Sequence, residues 1–462
     1  MDTGASAPPA ACDLLVDGGL VVTLDAEDRV IADGAVAIAA DRIVAVGASR
    51  ALGAGFTPRR RIDARNRIVM PGLVNTHNHT PLMIVRGMAE DLGFAPAYTP
   101  NIPQGHLLSG GEAYLLARLG AYELLRAGST TAVDSYRHPD GCARALAESG
   151  LRGFVGGRIH DADPAALARG GWRHDRAIGD ATLHENLELI ARWDGHDGGR
   201  IRCFLAPHAP DTCSRDLLVE VAALAARSDQ TLHTHLAQSR EEIAQVKTRD
   251  GRRPSELLDE VGLLGPRLLA AHCIWLEPDE IGRVGGAGVR VAHVPVGNAA
   301  SGTIAPIVPL ERAGALITLG TDTKSGDLFE AMRTAIAVAR VRGAGFDVKA
   351  RTALRWATAN GAAALGLGGE VGALQPGMKA DLLLLDALAP NLRPIVDGVG
   401  VIVHSGVGAN VDTVIVDGRV VLDGCRPTRF DGDEVIASAQ AVANRLWRAS
   451  GRTPVVARGA EA

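Results

Sequence analysis

The chain has 462 residues, 47% of them hydrophobic and 22% charged, which is the composition of a globular protein with room for one large core and a smaller unit. A formal net charge of -5 offers no basic footprint for nucleic acid or an anionic bilayer, so a small-molecule substrate is expected, with no nucleic-acid and no membrane partner. The six cysteines are scattered and form no Cys-x-x-Cys pair, which argues against a disulfide framework, a cysteine-rich zinc site and the His/Cys/Cys class of nucleobase deaminases.

Residues 1–12 read as an Ala/Pro tail. The first basic residue is Arg29, so the start lacks the basic region and apolar core of a signal peptide. No apolar run nears the roughly 20 residues a bilayer crossing needs, and cytoplasmic residence is the expectation. Next come short alternating strands over 14–24, 34–39 and 42–47, with a turn at Ala26-Glu27-Asp28. The same signature returns over 380–386 and 412–421. Segments 13–69 and 371–430 are each too small to stand alone, and are expected to pair into one small β-sandwich. Residues 431–462 are expected to form a C-terminal helix and tail.

Between these segments, residues 70–370 alternate apolar runs with helical stretches, as an α/β chain folded into a (β/α)8 barrel requires. Eight strands are predicted, over 68–74, 130–134, 153–159, 201–206, 230–236, 268–272, 290–294 and 315–320. Helices are predicted over 111–127, 214–227, 255–261 and 328–341.

The ends of these strands carry the polar chemistry. Pro71-Gly72-Leu73-Val74-Asn75-Thr76-His77-Asn78-His79 closes an apolar run with two histidines one residue apart. Residues two apart on a strand point to the same side, so both imidazoles can face one metal ion. His233-Thr234-His235, Ala271-His272-Cys273 and Gly320-Thr321-Asp322 each close another run. Together these ends offer a metal-ligand set of nitrogen and oxygen donors. Catalytic groups in such barrels sit at the C-terminal ends of strands, where His77, His79, His208, His235, His272 and Asp322 all fall.

These motifs, together with Ala357-Thr358-Ala359-Asn360-Gly361-Ala362 and Gly377-Met378-Lys379-Ala380-Asp381, occur in an order that resembles the amidohydrolase superfamily over about residues 13–425. The likeness is to its branch of aminohydrolases and chlorohydrolases acting on triazines, guanine, cytosine and S-adenosylhomocysteine. It implies that His77, His79, His235 and Asp322 hold one divalent metal per subunit, zinc first, with iron(II), cobalt or manganese as alternatives. It further implies that Asp322 moves the proton of the attacking water, that His272 assists as a catalytic and substrate-contacting group, and that His208 touches substrate. Relatives commonly form dimers or tetramers, so a homo-oligomer is expected.

Two-metal members use a lysine on the fourth strand, whereas Arg202-Cys203-Phe204-Leu205-Ala206 has none, so one metal is expected; Cys203 reads as a buried apolar cysteine. His293 and Asn298 read as loop-fixing residues and Asp134 as a barrel-end hydrogen-bonding group. The resemblance breaks at Gln238, where the deaminases carry a glutamate three residues past the strand-five histidine. An amide hydrogen-bonds to substrate but cannot deliver a proton. The first expectation is therefore hydrolysis of an amide, urea, carbamate or thiocarbamate C–N bond, with deamination of an amino-substituted N-heterocycle or dechlorination as the alternative. Glu241 and Glu242 stand as possible substitutes for the missing acid. Specificity is expected from the segment 90–110, with Phe94, Tyr98, Asn101 and His106, and more weakly from Tyr136, Arg137 and Trp172.

Overall fold

Alternating apolar residues build the first strands of the computed structural model, which describes residues 9–88, 102–103, 107–228, 230–323 and 325–451. They are β1 (Ala10–Val22), β2 (Val30–Ala39), β3 (Arg42–Ala48), β4 (Phe56–Asp63) and β5 (Arg67–Pro71). β1 begins at Ala10, inside the stretch read as tail, because Ala10, Ala11 and Cys12 pair with Phe56, Thr57 and Pro58 of β4. Phe94, Tyr98, Asn101 and His106 lie outside the described residues.

The run expected as a single strand over 68–74 is divided at Gly72. β5 belongs to the terminal sheet, and the barrel starts with β6 (Leu73–Asn78). A Cβ on Gly72 would lie 2.1 Å from the Thr130 hydroxyl, so only glycine lets the chain cross the second barrel strand this closely while changing sheets. The remaining barrel strands are β7 (Ser129–Tyr136), β8 (Arg152–Ile159), β9 (Ile201–Cys203), β10 (Ala206–Pro207), β11 (Leu232–Leu236), β12 (Leu268–His272), β13 (Arg290–His293) and β14 (Leu316–Leu319). β9 and β10 are one expected strand broken in two, both pairing with β8. Parallel bridges from Leu205 to Leu232 and from Asn78 to Asp322 join the two arcs of strands into a closed barrel. Val74, Val133, Phe154, Phe204, Leu269, Ala271 and Ala292 fill the interior, and Ala362, Leu365 and Leu367 stopper its lower end.

Four strands complete the terminal sheet: β15 (Leu382–Asp386), β16 (Val411–Val416), β17 (Arg419–Asp423) and β18 (Arg426–Pro427). They run on from β5 in the order β18-β17-β16-β15-β5-β1-β2-β3, with β4 on β1, so both chain ends share one hydrogen-bonded network. The network curls until Arg42 of β3 bridges Lys379 just ahead of β15. Leu14 and Val16 then share one apolar cluster with Leu382 and Leu384, while Leu15 faces the other way onto Leu52. The last helix, Gly432–Ala449, returns to the barrel and packs Val442, Leu446 and Trp447 against Leu82, Ile84 and Leu116. Among the described residues no helix is long and apolar enough to cross a membrane.

Candidate active site

His77 is the next-to-last residue of β6, and His79 follows where the chain turns into the short helix Thr80–Val85. Asp134, fully buried on β7, accepts the Thr80 N–H at 3.2 Å and the Thr80 hydroxyl, so the expected barrel-end carboxylate holds the turn that aims His79. Its burial pushes the Asp134 carboxyl up to about 6. From behind, the Trp447 indole N–H donates to the Ile84 carbonyl at 2.8 Å.

Four elements bring their polar ends to one point. The His79 and His235 Nε2 atoms are 3.3 Å apart, and Asp322 Oδ1 lies 3.6 Å from His79 Nε2 and 3.9 Å from His77 Nε2. Ligands held about 2.0–2.2 Å from a tetrahedral ion are separated by about 3.3–3.6 Å, so these spacings suit a shared metal. His77, His79 and His235 each offer a nitrogen, all within 4.8 Å of one another, and His77, His272 and Asp322 form an overlapping group of the same size.

Hydrogen bonds behind the rings aim them. His79 Nδ1–H donates to the Ser135 carbonyl at 2.6 Å and His235 Nδ1–H to the His208 carbonyl at 2.7 Å, which turns both Nε2 lone pairs inward. His77 Nε2 is buried with no hydrogen-bond partner among the described residues, as a nitrogen reserved for a ligand would be. Burial is the main reason that all three rings resist protonation, their pKa values lying below the usual 6.5. Neutral imidazoles are the form that binds metal. This donor set therefore fits a divalent ion of borderline softness, such as zinc.

The backbone is bent to make this convergence. His272, Cys273 and Asp322 have φ of +70°, +52° and +60°, left-handed values that cost a residue with a side chain about 1–2 kcal/mol. Gly320 passes so close to His77 that an added Cβ would lie 2.6 Å from the His77 Cβ and 3.0 Å from its backbone. Asn75 and Asn78 both donate to the Thr321 hydroxyl, at 2.7 and 2.9 Å, which ties β6 to the loop carrying Asp322.

His272 Nε2 faces Asp322 Oδ2 at 3.8 Å, and its Nδ1 meets Asn298 Oδ1 at 3.0 Å. Asn298, expected only to fix a loop, thus orients His272; its place after the seventh strand was the available signal. His208 stands beside His235, ring centroids 4.7 Å apart, with Nδ1 on the Thr212 hydroxyl and near Arg158. The helix Arg215–Ala225 that follows is capped by Ser214, whose hydroxyl accepts the Leu217 N–H. Arg158 at the end of β8 was not singled out from sequence, although its position just before the barrel rim could have flagged it. Tyr136 is also drawn in, its ring 5.6 Å from that of His79, whereas Arg137 turns toward Glu185.

Gln238 has a buried side-chain nitrogen without a partner among the described residues, and its backbone N–H donates to Glu242. Glu242 spends both oxygens on the N–H groups of Ala237 and Gln238, and Glu241 is exposed, so neither stands in for the missing acid. Cys203 is buried beneath the helix Arg176–Trp193, its thiol pushed well up by burial.

A (β/α)8 barrel with histidines and an aspartate converging at the C-terminal rim defines a metal-dependent hydrolase, and the chain belongs to the Amidohydrolase family, whose model matches residues 68–421. Among its relatives, a 5-methylthioadenosine/S-adenosylhomocysteine deaminase of Pelotomaculum thermopropionicum is 36% identical over 446 residues, covering 94% of this chain and 99% of that protein. A 5'-deoxyadenosine deaminase of Methanosarcina barkeri is 35% identical over 445 residues, covering 94% and 98%. The structure of a zinc-bound adenosine deaminase from Xanthomonas campestris superposes with a TM-score of 0.85 at 29% identity, covering 95% of this chain and 99% of that one.

Proposed function

We propose that this chain deaminates the adenine ring of a 5'-modified nucleoside, of the kind represented by 5'-methylthioadenosine, S-adenosylhomocysteine and 5'-deoxyadenosine. The observation that carries the reading is its 36% identity, across 99% of the relative's length, to a deaminase of such nucleosides, combined with an intact cluster of His77, His79, His235 and Asp322. The relatives thereby favour the alternative drawn from sequence over the amide, urea or carbamate reading placed first.

In this proposal His77, His79, His235 and Asp322 hold one zinc ion. When bound, the ion supplies the Lewis acidity that ionises water near neutral pH. The chain's own groups do the rest. Asp322 takes the proton of the attacking water and returns it to the amino group, so that the C–N bond breaks, ammonia leaves and the ring carbon keeps the oxygen. His272, held by Asn298 through Nδ1, presents Nε2 to the attacking oxygen. His208 and Gln238 contact the heterocycle, Gln238 by donating an N–H to a ring nitrogen. Because Gln238 carries no transferable proton and Glu242 is committed to backbone N–H groups, proton movement falls to Asp322 and His272.

Gln238 is also the observation that favours a second reading, a substrate that needs no ring protonation, such as a urea, carbamate, thiocarbamate or chlorinated heterocycle. The zinc-loaded enzyme is expected to release ammonia from 5'-methylthioadenosine, S-adenosylhomocysteine or 5'-deoxyadenosine. Ammonia from none of the three, with alkylamine from a urea or carbamate, would sink the proposal in favour of the second reading.

A further inference from the structure

We propose that His233 is a positioning residue that decides which nitrogen of His77 is bare toward the ligand cluster, and so sets the metal affinity of the site; this rests on the metal-binding reading above.

The three clustered histidines are not oriented alike. His79 and His235 each give Nδ1–H to a backbone carbonyl, and a carbonyl can only accept, so their tautomers have one solution. His77 has no such carbonyl. Its Nδ1 meets the Nε2 of His233 at 2.9 Å, with the two ring planes 7° apart and the centroids 4.9 Å apart. The planes are nearly parallel, and the 2.9 Å between the two nitrogens is a hydrogen-bond distance.

An imidazole can donate or accept, so this pair has two arrangements where the others have one. If His77 donates, its Nε2 keeps a lone pair, aimed at the buried position it shares with His79, His235 and Asp322. If His233 donates, His77 carries its proton on Nε2 and points an N–H into the ligand cluster. Only the first arrangement binds a cation, and it requires an acceptor at residue 233.

His233 is not itself among the candidate ligands. It lies two residues before His235 on the same side of β11, fully buried, one layer deeper in the barrel. The Phe204 ring packs on it at 5.7 Å. Its hydrogen bond into the cluster is to His77; its ring also meets that of His235 edge-on, centroids 5.9 Å apart.

Two variants and one direct measurement test this. Zinc affinity, measured by competition against a chelator, is expected to fall about ten- to hundredfold in His233→Phe, which keeps the ring and loses the acceptor. His233→Gln, whose amide oxygen still accepts, is expected to stay within about threefold of the parent chain. Zinc binding by a folded His233→Phe equal to that of the parent would overturn the inference. Nitrogen NMR of 15N-histidine-labelled metal-free parent protein needs no variant: a proton on His77 Nδ1 is expected, and one on Nε2 would overturn the inference even if His233→Phe failed to fold. A parent chain that takes up no zinc while His77 carries its proton on Nδ1 would instead sink the metal reading and leave the tautomer assignment standing.

Discussion

At the scale of single residues, the proposed site includes a group that stands behind its histidines. Asn298 accepts from His272 Nδ1 at 3.0 Å, and both residues are buried. Removing the acceptor frees the ring to rotate and to change tautomer while leaving the proposed metal ligands intact. Asn298→Ala is therefore expected to lower kcat by about tenfold or more, as loss of an oriented acid-base group does, with KM and zinc content little changed. Steady-state kinetics beside elemental analysis checks this, and an unchanged kcat would show that Asn298 only shapes its loop. Gln238 belongs to the same scale: one atom exchanged in a carboxyl group removes a proton donor and leaves a hydrogen-bond donor.

At the scale of elements, close approaches of backbone set what the strand ends can hold. β14 delivers Asp322 to the rim only because Gly320 lets the chain lie against His77. In Gly320→Ala the new Cβ would lie 3.0 Å from the His77 backbone, which cannot move aside as a flexible side chain would. The substitution is expected to cost about 1–3 kcal/mol in stability and to reduce bound zinc, because relief comes by pushing β6 away from Asp322. Urea denaturation with parallel metal analysis is the measurement, and full zinc occupancy would mean that the two strands tolerate the shift. Gly72 permits a similar close approach where the chain passes from the terminal sheet into the barrel.

At the scale of the molecule, a buried ion network joins barrel and terminal sheet. Arg152, at the start of β8, is 2% exposed and contacts Asp381 at 3.2 Å and Asp417 at 2.6 Å. Arg152→Met leaves the buried Asp381 without its cation, while the partly exposed Asp417 keeps Lys379 at 3.2 Å; the loss is about 3–5 kcal/mol, which a large fall in unfolding midpoint would register. Acid should weaken the fold in a definite window. Burial holds His160 and His293 at about 3 instead of 6.5, so the folded state refuses protons that the unfolded chain accepts. Their contribution is complete above pH 6.5 and declines toward pH 3, by about 1.4 kcal/mol per pH unit for each residue. Stability measured from pH 6.5 to 4 is expected to fall less steeply in His160→Gln/His293→Gln than in the parent chain; equal slopes would exclude these two rings as its source.

The spacing of residues along the chain sufficed for the barrel and for the convergence of His77, His79, His235, His272 and Asp322, because strand periodicity and parallel order send every strand's C-terminal end to one rim. It did not suffice for the break at Gly72, since the apolar run continues unbroken through it and the reason lies across the barrel in Thr130. Nor could it assign His233 and Asn298, whose partners are 156 and 26 residues away in sequence. The kinds of donor gathered at the rim follow from side-chain direction along each strand, a local property of the chain. Which nitrogen of each ring is free to act follows from hydrogen bonds between strands, and those exist only once the barrel has closed.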